Sequence, residues 1–304
     1  MNRIYSIFDI AQFAESNQSA IIYLQGRHLL KNNLNCHRCG SNMLVKEYAA
    51  NVNVGFIFRC INQNCRARQS LILNTFFEHL HFPLNKYIYI FYYWSSQTPV
   101  KVATEHLGLS KVSIISHYNF CRDICSWKLN QQPIRLGGPG IIVQIDESVF
   151  VKAKYNIGHA LQHQQRWVFG IYDTSTKQGY ITFVNARNEA TLLPIIQQVV
   201  IPGSIIHSDQ WAAYNGISRL PHPQPYIHLT VNHSVNFVDP LTGVHTNQVE
   251  SMWSRAKRRF KIMNGTYEDL IPSYLDEFMW RERFGQNTST AYDNLLTDIA
   301  ARYP

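Results

Sequence analysis

The sequence lacks any apolar run long enough to cross a membrane, any internal repeat and any low-complexity tract. Its most apolar stretch, residues 87–94, is far shorter than the roughly 20 residues that a membrane-spanning helix needs. Asp9 and Glu15 interrupt the apolar residues at the start of the chain, which argues against a signal peptide. We therefore expect an intracellular protein with no membrane partner, placed in the nucleus of a eukaryote or in the cytoplasm and nucleoid of a bacterium.

Acidic residues are also scarce. The chain has 20 Asp and Glu against 28 Lys and Arg, which gives a formal net charge of +8. Such an excess favours an anionic partner such as nucleic acid, but it carries no information about the fold. A basic protein without a polyanionic partner is the alternative that charge alone leaves open. With 304 residues, 45% of them hydrophobic, the chain is long enough for two or three domains with apolar cores.

Only six cysteines are present, and four of them form two pairs. Two residues separate Cys36 from Cys39, four separate Cys60 from Cys65, and a strand-like stretch at 54–59 lies between the pairs. Paired cysteines that flank short strands are typical of a zinc ribbon. Because a reducing compartment disfavours disulfides, we predict that residues 33–72 form a ribbon whose four thiolates bind a structural Zn2+. Free buried cysteines are the alternative.

Helical patterns lie on both sides of the cysteine region. Short apolar patterns predict an N-terminal helical segment over residues 1–32, to which we assign no role. Within 73–133, Pro99 at a first turn, Gly108 as a stop and Ser110 as a cap predict two helices joined by a short turn. This arrangement fits a DNA-binding helix-turn-helix, and an ordinary helical hairpin is the alternative.

The pattern changes after the glycine-rich linker at residues 136–140. Three strand-like stretches, a helix, a strand, a second helix, a fifth strand and a long third helix follow in that order. That order is typical of the RNase H-like fold, in which hairpins join three antiparallel strands and crossovers make the other strands parallel. We predict an α/β protein with a mixed-sheet, RNase H-like domain over 134–265. The zinc ribbon and the helical region precede this domain, and a helical tail over 266–304 follows it.

Three acidic residues occupy positions that this fold would bring together. Asp146 follows the apolar run 141–145, Asp209 ends a second such run, and Glu250 lies near the start of the long helix. The two aspartates would face each other at the ends of neighbouring strands, and the helix would add Glu250. Carboxylate oxygens suit Mg2+ or Mn2+, and two such ions support in-line phosphoryl displacement. Glu147 would point away from Asp146 and is therefore left out of the set.

Spacing on the long helix adds positive charge beside these acids. Lys257 lies seven residues after Glu250, so both belong to one face of the helix. Arg258 and Lys261 extend the positive surface, and we predict that the three cations bind DNA. A solvated helix face is the alternative. His207 is either a support for the metal ligands or a core histidine.

The motifs around the acids resemble those of Merlin-type DDE transposases and their bacterial insertion-sequence relatives. The likeness is carried by Gln144-Ile145-Asp146-Glu147-Ser148, Ser208-Asp209-Gln210-Trp211-Ala212-Ala213-Tyr214, the segment 231–239, His245-Thr246-Asn247-Gln248-Val249-Glu250-Ser251-Met252-Trp253 and the paired cysteines. It extends over about residues 30–265. The resemblance implies an RNase H-like catalytic domain, a triad of Asp146, Asp209 and Glu250, and metal-dependent cut-and-paste transposition. Lys257 matches a lysine often found seven residues after the glutamate of this family.

The chain departs from the family pattern in its charge. Apolar residues stand where relatives tend to carry lysine or arginine, namely at Val149, Val151, Ala153, Ile157, Leu161 and Ala212. One hypothesis is therefore a transposase that cleaves and joins double-stranded DNA as a homo-oligomer, with two Mg2+ or Mn2+ ions. The alternative is a catalytically silent, transposase-derived DNA-binding protein, and a third hypothesis is a zinc-stabilised interaction protein.

Overall fold

The computed structural model describes residues 5–151, 166–221, 223–233, 235–263 and 266–304. The helices in these residues are α1 (Ile7–Phe13), α2 (Asn17–Gly26), α3 (Asn85–Ser95), α4 (Val100–Leu107), α5 (Lys111–Gln131), α6 (Glu189–Val199), α7 (Asn247–Ile262), α8 (Ile271–Phe284) and α9 (Thr288–Arg302). The strands are β1 (Leu34–Asn35), β2 (Asn42–Glu47), β3 (Phe56–Cys60), β4 (Arg68–Ser70), β5 (Leu136–Gly137), β6 (Ile142–Val151), β7 (Arg166–Asp173), β8 (Gly179–Val184), β9 (Val200–Ile201), β10 (Ile205–Ser208) and β11 (Ile227–Thr230). Within the described ranges, no helix combines the length and the apolar character needed to span a membrane.

The chain divides into two compact units. One consists of Met1–Lys128 together with Phe284–Pro304, and the other of Leu129–Arg283. The first unit contains an antiparallel sheet in the order β1-β2-β3-β4. Met43 of β2 and Phe58 of β3 are buried side chains of this small sheet. Its architecture is compatible with the predicted zinc ribbon.

In the same unit, α4 and α5 follow each other across a short turn. α4 ends at Leu107, and Gly108 adopts a left-handed conformation with φ of 61°, which residues with a Cβ rarely adopt. The Ser110 side chain accepts a hydrogen bond from the Ser113 amide at 3.1 Å and thereby caps α5. DNA binding by this helix pair stays a prediction.

The second unit is built on a five-stranded sheet in the order β11-β10-β6-β7-β8. β6, β7 and β8 pair antiparallel, whereas β10 pairs parallel with both β6 and β11. Ile145, Phe169 and Ile206 are fully buried in the three strands at its centre. Three sequential antiparallel strands, extended at one edge by two parallel ones, confirm the RNase H-like fold that the order of elements predicts.

The first strand of this sheet is longer than its apolar run indicates. β6 does not end at Asp146 but continues to Val151, because its antiparallel pairing with β7 continues through Ser148 and Val149. The parallel pairing with β10 stops at Gln144. Asp146 therefore lies near the end of the parallel pairing rather than at the end of the strand.

The helix expected after Asp209 is also different. In its place the described chain forms two 3-10 turns, Ala212–Tyr214 and Ile217–Arg219. Gly216 separates the turns and lies so close to α6 that a Cβ there would overlap Leu193 and Glu189. Glycine disfavours a continuous helix, so the segment packs as two short turns.

Candidate active site

The parallel register of β6 and β10 brings the two predicted aspartates side by side. The last residue pair in this register is His207 with Gln144. Asp209 lies two residues after His207, and Asp146 lies two residues after Gln144. Asp209 lies directly after β10, and its Oδ1 accepts a hydrogen bond from the Trp211 amide at 3.0 Å. The start of the following turn therefore restrains the second carboxylate.

A buried glutamine of β6 fixes the helix that carries Glu250. The Oε1 atom of Gln144 accepts hydrogen bonds from the amides of Gln248 at 2.9 Å and Val249 at 3.1 Å. Amides in a first helical turn have no acceptor within their own helix, so this side chain supplies one. Gln144 and Asp146 are two residues apart in a strand and project to the same face. α7 thus begins over the face that carries Asp146, with Glu250 in its first turn.

Trp253 connects α7 directly to the first aspartate. Its indole Nε1 donates a hydrogen bond to Oδ2 of Asp146 at 3.0 Å. The ring passes over Gly170, the residue of β7 that pairs with Asp146, and a Cβ at Gly170 would overlap the indole. Glycine therefore allows the close approach that this hydrogen bond needs.

One polar side chain donates to the carboxylate of Glu250, and a second contacts that donor. Oγ1 of Thr246 donates to Oε1 of Glu250 at 3.1 Å. His233 Nε2 lies 2.7 Å from Oγ1 of Thr246 and 3.9 Å from Oε1 of Glu250. The Glu250 side chain is 46% exposed, so a ligand in solution has access to it.

Burial and mutual repulsion disfavour the charged form of Asp146. Burial is the main cause that raises the pKa of Asp146 to about 6, while the hydrogen bond from Trp253 lowers it and the charges of Asp209 and Glu250 raise it. Both other acids act on Asp146, so the three carboxylates form one electrostatic group. A cation among them would relieve this repulsion.

The donor set fits a hard divalent cation. All three side chains are carboxylates, the ligand type that Mg2+ and Mn2+ prefer, and their repulsion disfavours the site without a cation. In the described part of the chain, only the four paired cysteines bring three or more metal-ligating atoms within 4.8 Å of one another.

Lys257 lies on the same face of the sheet as Asp146. Its Nζ donates to Oγ of Ser148 at 2.6 Å and lies 5.5 Å from the centre of the Phe150 ring. Ser148 is two residues after Asp146 in β6, so both side chains project to one side. This cation therefore lies beside the predicted acids.

The other two predicted DNA contacts, Arg258 and Lys261, are exposed on α7. They lie within the four residues that follow Lys257 in sequence. Among the apolar positions that depart from the family pattern, three lie outside the residues that the structure describes: Ala153, Ile157 and Leu161.

The opposite face of β6 carries a second acid, Glu147. Its side chain is buried, and the guanidinium of Arg187 lies 3.5 Å from its carboxylate. Burial raises the pKa of Glu147 to about 7, although the charge of Arg187 lowers it. The guanidinium lies 4.0 Å from the ring centre of Trp167 and 4.5 Å from that of Trp211. Because the Trp211 amide also binds Asp209, this cluster connects β6 with the turn that carries the second aspartate.

The four predicted zinc ligands form a compact group in the first unit. The Sγ atoms of Cys36, Cys39, Cys60 and Cys65 all lie within 4.8 Å of one another. Cys36 and Cys65 are 3.7 Å apart, and Cys39 and Cys60 are 3.5 Å apart. Hydrogen bonds from the side chain and backbone of Ser41 lower the pKa of Cys39 to about 6 and favour its thiolate, whereas burial raises the pKa of Cys60 to about 12. Four thiolates suit tetrahedral Zn2+ and leave no open position.

Sequence reasoning predicted the three acids but not the residues that contact them or the helix that carries Glu250. These residues are Gln144, Thr246, His233 and Trp253. The available signal for Gln144 is a polar residue inside an otherwise apolar strand, two positions before an acid on the same face. No comparable signal distinguishes His233, which reaches the site from a loop.

The chain is similar in sequence to known transposases. Residues 136–283 match the model of the ISXO2-like transposase domain. The chain is 31% identical over 102 residues to an uncharacterized transposase-like protein of Haemophilus influenzae, a match that covers 34% of this chain and 78% of that relative.

Solved structures also resemble the chain. The catalytic core domain of BIV integrase is 13% identical with a TM-score of 0.31, over 48% of this chain and 84% of that one. A chain of the simian T-cell lymphotropic virus intasome, solved with PP2A regulatory subunit B56 gamma, is 17% identical with a TM-score of 0.32. That match covers 62% of this chain and 66% of the other.

Proposed function

The chain belongs to the family of ISXO2-like transposases, and from this premise we propose that it cleaves and joins DNA strands. One observation supports the assignment of the reaction to Asp146, Asp209 and Glu250. The register of β6 and β10 leads to neighbouring aspartates, and Gln144 of the same strand accepts hydrogen bonds from the first turn of the helix that carries the glutamate.

We assign the three acids as ligands of two Mg2+ or Mn2+ ions. When bound, such ions activate an attacking oxygen and stabilise a leaving oxygen in phosphoryl displacement. The protein supplies hard oxygen ligands and holds them in place. Trp253 restrains the Asp146 carboxylate, and the Trp211 amide restrains that of Asp209. The four cysteines bind Zn2+ with a structural role.

Double-stranded DNA is the proposed substrate, both at the ends of the element and at the target. Water cleaves one phosphodiester at the element end and leaves a 3′-hydroxyl. That hydroxyl then attacks a target phosphodiester and displaces its 3′-oxygen, so that one bond forms as one breaks.

Lys257, Arg258 and Lys261 bind phosphates beside the acids, which makes affinity for DNA depend on salt. The α4–α5 pair and the zinc-binding sheet position the DNA on a homo-oligomer.

Cleavage of the element's own terminal-repeat DNA in Mn2+ tests the proposal. Asp146→Asn keeps an oxygen acceptor for Trp253 but removes the charge, so we expect cleavage to fall by at least about 1000-fold, as typical losses of an essential catalytic group indicate. DNA binding should persist. The matched control is Asp269→Asn, which changes an exposed aspartate and should cleave normally.

Two results would contradict the assignment. Equal cleavage by Asp146→Asn and the wild type would exclude Asp146 from the reaction. DNA binding without cleavage by the wild type would instead favour the catalytically silent, transposase-derived DNA-binding protein.

A further inference from the structure

The residue that precedes α7 does not have the role that its position predicts. Thr246 is the N-cap residue, where a threonine hydroxyl normally accepts a hydrogen bond from an amide of the first turn. Among the described residues, its side chain makes no such capping bond. Gln144 accepts from the amides of Gln248 and Val249 instead. The cap is therefore supplied by the neighbouring strand.

Because Gln144 supplies the cap, the Thr246 hydroxyl is available to bind Glu250. The hydroxyl donates to Oε1 of Glu250 at 3.1 Å. Because a hydroxyl has one hydrogen, its 2.7 Å contact with Nε2 of His233 requires the histidine to donate. The hydrogen bonds therefore run in one direction, from His233 to Thr246 to Glu250.

Because the Thr246 hydroxyl is buried, it depends on these two hydrogen-bond partners. Thr246 is only 1% exposed, whereas the side chains of His233 and Glu250 are 29% and 46% exposed. Removing either partner would leave a buried hydroxyl with an unmet hydrogen bond, which is unfavourable. Gln144 already caps the helix, so α7 does not need the contact between Thr246 and Glu250 in order to begin.

We propose that Thr246 and His233 are positioning residues that orient the Glu250 carboxylate for a divalent cation. The inference rests on the proposed function, because it takes Glu250 as a metal ligand. A half-exposed glutamate rotates freely unless something holds it, and ordering it on metal binding costs conformational entropy. The hydrogen bond from Thr246 orders the side chain in advance. Outer partners of metal ligands typically change metal affinity about 10- to 100-fold.

Mn2+ binding to the full-length protein, followed by electron paramagnetic resonance, tests the inference. The protein keeps Zn2+ at its cysteines and is dialysed free of other divalent ions. Thr246→Val removes the hydroxyl and keeps the branched shape, so we expect Mn2+ binding about 10- to 100-fold weaker. Thr246→Ser keeps the hydroxyl and should restore the affinity. Thermal unfolding without Mn2+ should differ little between the two variants.

A second pair of variants tests His233 without changing the buried residue. His233→Gln keeps an N–H donor and should bind Mn2+ more tightly than His233→Ala. Equal Mn2+ affinity in Thr246→Val, His233→Ala and the wild type would overturn the inference and leave the proposed function intact. If Glu250→Gln and Asp146→Asn also bind Mn2+ like the wild type, the proposed metal site itself is wrong.

Discussion

The two predicted metal sites differ in how far the fold gathers their ligands. The four cysteine sulfurs lie within 4.8 Å of one another, a limit that the three acids do not meet in the described residues. The cysteines lie in and around one small antiparallel sheet, whereas the acids come from a strand, a turn and a helix. Short-range pairing within one sheet gathers the cysteines, which we call the closed site, whereas long-range packing of three elements must gather the acids, which we call the open site.

The largest expected effect comes from breaking the closed site. Cys60→Ser removes one thiolate from the group of four, and the free energy of structural Zn2+ binding is on the order of 10 kcal/mol. We therefore expect loss of stoichiometric zinc and of amide protection across residues 33–72. The control is Cys125→Ser, which changes a buried cysteine outside the group. Full zinc content in Cys60→Ser would show that the four thiolates do not act together.

The free energy of unfolding should depend on pH through Asp146 of the open site when no divalent ion other than Zn2+ is present. The pKa of Asp146 is raised from its ordinary value of 3.8 to about 6. The folded protein therefore binds a proton more readily than the unfolded chain, and this contribution to stability is lost as pH rises through about 6. Asp146→Asn cannot ionise, so it should be more stable than the wild type by up to about 3 kcal/mol at pH 7.5.

Urea unfolding of both proteins at several pH values measures this effect. The advantage of Asp146→Asn should shrink as pH falls through about 6 and vanish below about 4. Added Mn2+ should stabilise the wild type and reverse the order at pH 7.5, because a ligand stabilises the state that binds it. An advantage that is independent of pH would mean that the charge of Asp146 is not its cause.

A smaller loss of stability should follow from adding a methyl group at Gly170, beneath the Trp253 ring that contacts Asp146. Gly170→Ala places a Cβ against the ring of Trp253, so we expect a loss of about 1–3 kcal/mol, as overpacking typically causes, together with weaker Mn2+ binding. In Gly179→Ala the added Cβ meets the sulfur of the buried Met252 but not Trp253, so this control should also lose stability while keeping wild-type Mn2+ binding. Near-ultraviolet circular dichroism reports the Trp253 environment. Equally weakened Mn2+ binding in the two variants would show that the contact of Trp253 with Asp146 has no special role.

The smallest effect concerns DNA contacts beside the open site. Lys257→Gln removes one cation near Asp146, so the slope of log affinity against log salt should fall by about 1. Lys177→Gln, at the exposed turn between β7 and β8, should leave the slope unchanged. A salt titration of DNA binding distinguishes them. Identical slopes for both variants would exclude Lys257 from phosphate contact.

Local patterns in the sequence indicate candidate ligands and the order of the strands, but not the contacts that support them. Cysteine pairs and apolar runs are local signals, so four candidate zinc ligands and the strand order can be predicted without a structure. The extension of β6 beyond Asp146 depends on its pairing with β7, which local composition does not encode. The roles of Gln144 and His233 depend on where α7 meets the sheet. Sequence patterns therefore identify candidate ligands, while long-range packing determines what holds them.

A cysteine substitution in the open site gives the most direct test of the central claim, which is that the acids bind the metal used in DNA cleavage. Asp209→Cys replaces a hard oxygen ligand with a sulfur that Mg2+ binds poorly and Mn2+ accepts more readily. The measurement is cleavage of terminal-repeat DNA by this variant in each metal. We predict that Asp209→Cys does not cleave in Mg2+ and partly recovers cleavage in Mn2+. The wild-type protein should cleave in both metals. Wild-type cleavage by Asp209→Cys in Mg2+ would contradict the account.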